Sequence, residues 1–221
     1  VFTFSGGFIP WENMKEDTKE KIIRKSLEII GKEGVDAITM RRIATESDVN
    51  IASMNYHFGN KENLIREIIL HFRDNMGQSF KFLEEENLSS RERVRGFITA
   101  YTQIMVEYRG LMRSFFFQII GQKFQYPEVI EMIRKGLGLF QAELEKTRNG
   151  ENPPEWSTMS AIALMGSVAY PILMGEQLEK IFGLNYQDPE IRKGYLDILV
   201  KRYCTETPAG KHKSNRKKQG V

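Results

Sequence analysis

Apolar residues recur at helical intervals along nearly the whole chain. In KEDTKEKIIRKSLEIIGKEG, Ile22, Ile23, Leu27, Ile29 and Ile30 share one face of a helix. Asp17, with Glu20 three residues later, is expected to form a capping box at its start. Gly34 suits a left-handed end. No run alternates with period two over the length a strand needs, so the pattern predicts an all-α fold. The 221 residues suffice for one large or two small domains and for a core that holds without staples. The one cysteine, Cys204, excludes an internal disulfide and a cysteine-based metal site, and fits a reducing compartment.

The first helix is followed by two short ones. Thr39 is a cap for MRRIATES, and Asn50 is a cap for the next. A turn of about four residues containing Asp48 and Val49 joins them, which predicts a helix-turn-helix. Ile43 and Val49 would fill the small core between them. Asn60 then caps a longer helix whose apolar face is Leu64, Ile65, Ile68, Ile69 and Phe72. Ser89 and Glu92 form a second capping box. The helix through FITAYTQIMVEYR is expected to stop near Gly110, and LMRSFFFQIIGQ to form another. Pro127 opens a helix carrying Val129, Ile130, Ile133, Leu137, Phe140 and Leu144. NGENPPE from Asn149 is a loop. The apolar run from Met159 carries Ser160, Ser167 and Pro171 and lacks basic flanks, so it is expected to be a buried helix kinked at Pro171, not a membrane span. Asp188-Pro189 opens the last helix.

This divides the chain into four parts. Residues 1–13 are expected to be a non-native or disordered leader ahead of a natural start at Met14, without the features of a signal peptide. Residues 14–60 form the helix-turn-helix domain, 61–204 a larger helical domain, and 205–221 a disordered basic tail. The tail holds part of the net charge of +3, so the body is closer to neutral and charge alone does not point to nucleic acid.

The stretch NIASMNYHFGNKENL points there instead. A helix entering the major groove presents short hydrogen-bonding groups to bases, with Tyr or His reaching the backbone. Ser53, Asn55, Tyr56 and His57 offer that chemistry, while Met54 and Phe58 face the small domain. Arg41 and Arg42 stand in the first turn of the preceding helix, where either could meet phosphate or a guanine edge; Arg41 is the stronger candidate. Lys61 and the free amides after Asn60 make a second phosphate anchor. Glu46, Asp48 and Glu62 lie among them, so the surface is mixed. Taken singly, each of these is an ordinary solvated residue. Enzyme chemistry finds no support: His57, His71 and His212 are scattered, and there is no HExxH, phosphate loop, or Ser or Cys nucleophile motif. No metal or cofactor is expected.

From Lys15 to Leu64, the order helix, Gly34, Thr39-Met-Arg-Arg-Ile-Ala, turn, Tyr56-His57-Phe58-Gly59-Asn60-Lys61-Glu62-Asn63-Leu64 resembles the TetR family of bacterial transcriptional regulators. The chain departs from the family at Asp48, where Gly is common, and at Asn55, where Tyr is common. Asp48 tolerates a left-handed backbone; Asn55 bears on which operator is read. The resemblance implies a cytoplasmic homodimer on a pseudo-palindromic double-stranded operator, released by a small-molecule effector, with repression the default. The DNA-binding set is then Thr39, Arg41, Arg42, Asn50, Ala52, Ser53, Asn55, Tyr56, His57 and Lys61. For the effector, an apolar or aromatic one, the expected lining is Tyr101, Met105, Tyr108, Met112, Phe116, Phe140, Met165 and Tyr170, although each is also an ordinary core residue. Of Phe115, Phe116 and Phe117, one or two belong to the core and the third to a cavity or interface. Gly166, Ala169, Tyr195 and Leu199 are the expected dimer contacts. The alternative is a helical ligand-binding or interaction protein that uses the helix-turn-helix as scaffold.

Overall fold

The computed structural model describes residues 17–123, 126–147, 153 and 155–204. Met14, the leader, the basic tail and most of the loop from Asn149 lie outside the described residues. Nine α-helices and no strand occur among those described. They are α1 (Thr18–Glu33), α2 (Met40–Glu46), α3 (Ile51–Phe58), α4 (Lys61–Phe80), α5 (Ser90–Glu107), α6 (Arg109–Ile120), α7 (Pro127–Lys146), α8 (Trp156–Phe182) and α9 (Pro189–Tyr203). Short 3-10 turns at Val35–Ala37 and Lys81–Glu84 complete the described elements.

Local chemistry sets most of the boundaries. The side chains of Thr39, Asn50 and Asn60 accept from the amides of Arg42, Ser53 and Asn63 at 3.2, 2.7 and 2.8 Å. Each satisfies an amide with no partner inside its helix, a gain of about 1 kcal/mol. Ser89 and Glu92 form the full capping box at the start of α5. Asp17 does occupy the cap of α1, but its side chain makes no cap bond, so the expected capping box is absent there. Pro127 and Pro189 open α7 and α9, and the Asp188 carboxylate accepts from the Glu190 amide. Pro171 stands inside α8, which continues through it to Phe182.

The break expected near Gly110 falls at Tyr108, and Gly110 itself is buried inside α6 rather than ending α5. A Cβ at Gly110 would stand 2.2 Å from the Gly31 Cα and 2.7 Å from the Ile30 carbonyl oxygen. Its missing side chain therefore lets α6 rest directly on the backbone of α1. Just before it, the Tyr108 hydroxyl accepts from Asn75 Nδ2 of α4 at 2.9 Å. α1 and α4 thus both bear on one joint between α5 and α6, Tyr108–Gly110.

One apolar core runs through both halves, from Ile22, Ile43, Met54 and Leu64 to Phe97, Phe140, Leu164 and Val200. Aromatic rings line its middle. Phe97 of α5 lies 5.2 Å from Phe80 of α4 and 4.8 Å from Phe140 of α7. Phe72 of α4 meets Tyr108 at 5.5 Å and Phe115 of α6 at 5.6 Å. Along the Phe run, Phe115 is buried, Phe116 is partly buried against the core, and Phe117 is 76 % exposed. α8 is long and apolar enough to cross a membrane on length and composition alone. In the fold it packs along α7 and also meets α5, α6 and α9.

Candidate nucleic-acid interface

The turn between α2 and α3 is compact because Asp48 takes the backbone conformation φ 52°. The Val49 amide donates back to the Ala44 carbonyl at 3.0 Å. An Asp can adopt this left-handed geometry through its short polar side chain, so the usual glycine is dispensable. α3 is then pinned by Met54 and Phe58, both buried. At 100° per residue these two fix the opposite side as Ala52 and Tyr56. Asn55 and Ile51 flank that side in one direction, Ser53 and His57 in the other. Burial follows the same order: Ala52, Asn55 and Tyr56 are exposed, Ser53 and His57 half-buried. Tyr56 is the extreme at 86 % exposed, with its ring edge-on to His57 at 5.2 Å. Gly59 ends α3 at φ 74°, ψ −58°, a conformation a side chain would strain. That stop places Lys61 at the first position of α4.

Thr39 and Asn50, both expected to touch DNA, are exposed caps. Their oxygens already accept backbone amides, which leaves the Thr39 hydroxyl hydrogen and the Asn50 amide hydrogens to donate.

The two arginines separate. Arg41 is exposed. Arg42 is tied within the chain: its guanidinium meets both oxygens of Glu33 at 2.6 and 2.9 Å, and its Nε donates to Glu46 at 2.8 Å. This arrangement holds the Glu33 carboxyl below its ordinary pKa, chiefly through the Arg42 hydrogen bond, and raises that of Arg42. The expectation that Arg42 faces DNA is corrected accordingly. Its five donors are largely occupied in fastening α2 to the end of α1.

In the larger domain Met105, Tyr108, Met112 and Phe140 are buried, and Tyr101, Phe116 and Met165 are partly buried against the same core. Burial pushes the phenols of Tyr101 and Tyr108 well above the ordinary value, so both stay neutral hydrogen-bonding groups. Tyr170 does not join them. It is 55 % exposed and points outward from α8.

The expected dimer residues also divide. Ala169 and Leu199 are buried within the chain, and the Tyr195 hydroxyl donates to the Ser167 carbonyl at 2.9 Å. The Tyr195 bond ties α9 to α8. Gly166 does face outward. It lies with exposed Met159, Ile162 and Tyr170 on one stripe of α8, and Ile198 of α9 is exposed as well. The sequence reading missed Met159, Ile162 and Ile198. On α8 the helical spacing of Met159 and Ile162, seven and four residues before Gly166, was visible, but α8 is apolar on every side, so spacing did not separate an inner from an outer face.

Residues 22–68 match the model of the family described as bacterial regulatory proteins, tetR family. The chain is 21 % identical over 193 residues to a probable HTH-type transcriptional regulator, YttP, of Bacillus subtilis, covering 84 % of this chain and 92 % of that one. It superposes on a TetR transcriptional regulator from Legionella pneumophila with TM-score 0.61 at 21 % identity, over 86 % of this chain and 99 % of the other. For the ketosteroid transcriptional regulator KstR2 of Mycobacterium tuberculosis the TM-score is 0.67 at 14 % identity, over 87 % and 98 %. The matched segment spans most of α1, then α2, the turn, α3 and the start of α4, and the fold likeness extends across the larger domain. Residues 22–68 are thus a DNA-binding helix-turn-helix segment of the bacterial tetR regulatory type, set in a fold that solved TetR regulators share.

Proposed function

We propose that the chain is a homodimeric repressor that leaves its operator when a small apolar or aromatic effector enters the larger domain. The observation that carries the DNA half is the outward arc of α3, with Ala52, Asn55 and Tyr56 exposed opposite buried Met54 and Phe58. Exposed Arg41 flanks it from α2, and the cap of α4 beside Lys61 flanks it as a phosphate anchor. Dimerisation is assigned to the outer stripe of α8 with Ile198, because intrachain packing leaves these apolar side chains uncovered. Two copies related by a two-fold axis would read a pseudo-palindrome with half-sites roughly 34 Å apart, or a multiple of that.

For the effector, Tyr101, Met105, Met112 and Phe140 supply an adaptable aromatic and thioether lining with a neutral phenol to orient a polar group. Repacking there would act on the Tyr108–Gly110 joint, which bears on α1 and α4. A coupling of about 1–3 kcal/mol would change operator occupancy several-fold or more. The regulator would act in the cytoplasm, where its DNA is. The test is a gel shift of Arg41→Ala and Tyr56→Ala beside light scattering. Both variants should lose operator affinity and remain dimers. Undiminished affinity in both would remove the proposed face.

A further inference from the structure

α3 carries an unusual set of groups for a reading helix. Among Ile51–Phe58 there is no Lys or Arg to donate to guanine O6 and N7, and no Asp or Glu to accept from cytosine N4. Beside the Tyr56 phenol at its centre and the Ser53 and His57 side chains at one flank, what the outward arc and its other flank offer is apolar or amide in character. Ile51 is 47 % exposed, an apolar β-branched side chain held in solvent at the first position of the helix. Ala52 adds a methyl, and Asn55 adds a carboxamide on the same exposed side. Methyl groups complement the thymine C5-methyl, and a carboxamide pairs adenine N6 and N7 in a bidentate manner. The guanidinium that could pair a guanine from α2 is Arg41, since Arg42 is held by Glu33 and Glu46.

We infer that the half-site beneath α3 consists of A·T pairs, read through thymine methyls by Ile51 and Ala52 and through an adenine edge by Asn55, with guanine preference confined to the position Arg41 reaches. This rests on α3 being the reading face, as proposed above.

The experiment is selection of bound duplexes from a random library with the full chain at fixed salt, repeated with Arg41→Ala. The selected duplex is then titrated with deoxyuridine in place of thymine against the wild-type chain and Ile51→Ala. The expected consensus has A·T pairs at the core of each half-site and one guanine position, and Arg41→Ala flattens that position alone. Removing the thymine methyls should weaken wild-type binding about fourfold, and Ile51→Ala should distinguish the two duplexes less than the wild-type chain does. A consensus requiring several G·C pairs beneath α3 would overturn the inference while leaving the reading face standing, as would indifference of the wild-type chain to deoxyuridine. Selection without any preferred sequence would overturn both together.

Discussion

Arg41 and Arg42 are adjacent, yet the fold gives them different work. Both lie in the first turn of α2, and nothing local distinguishes them. Glu33, nine positions before Arg42, is brought to it only by the crossing of α1 and α2. The sequence therefore showed two candidate cations, and tertiary geometry chose between them. Arg41→Ala is expected to lower operator affinity and relax base preference at one position of each half-site, with thermal stability unchanged. Arg42→Ala is expected to lower the melting temperature and leave the base preference as it was. Gel shifts and melting curves on the two variants separate these outcomes. His71, half-buried on α4 with its ring 6.3 Å from that of Tyr108, makes a pH prediction. Burial lowers its pKa below the ordinary 6.5, partly offset by Glu20 and Asp74. The folded state then resists a proton that the unfolded state accepts. The stability His71 gives is full above about pH 6.5 and is lost as pH falls toward the folded value. Between pH 7.5 and 5.5 His71→Gln should lose less melting temperature than the wild-type chain.

Among the helices, the caps were the most legible part. Thr39, Asn50, Asn60 and Ser89 bond amides within three residues of themselves, so no distant contact was needed to foresee them. Ser89→Ala should cost about 1 kcal/mol of unfolding free energy in urea. Gly110 misled because a glycine near a helix end usually marks the stop. Here its lack of a side chain serves the approach of α6 to Gly31, a contact between segments far apart in the chain. Gly110→Ala must push α6 off α1, at a cost of about 1–3 kcal/mol. Because the same contact belongs to the proposed joint, the variant should also bind operator less tightly without loss of any DNA-facing residue. Unfolding curves and gel shifts on one preparation measure both.

At the scale of the molecule, the all-helical order and the helix-turn-helix followed from periodicity, but the division of α8 into inner and outer faces did not. Tyr170 and Leu199 carry apolar surface that looks alike in the sequence; one turns out to solvent and the other closes α9 over the core. Ile162 is 68 % exposed on the outer stripe. Ile162→Glu should therefore fold normally, appear as a monomer in light scattering, and lose about tenfold or more in affinity for a two-half-site duplex, since a carboxylate at the centre of an apolar interface has no partner. The central claim, that a dimer presents two α3 helices to successive major grooves, is tested most directly by footprinting the full chain on DNA flanking its own gene across a salt series. The account expects two protected, inverted half-sites about one helical turn apart, or a multiple of it, that persist at moderate salt. Protection that is unpositioned and vanishes as salt rises would contradict it.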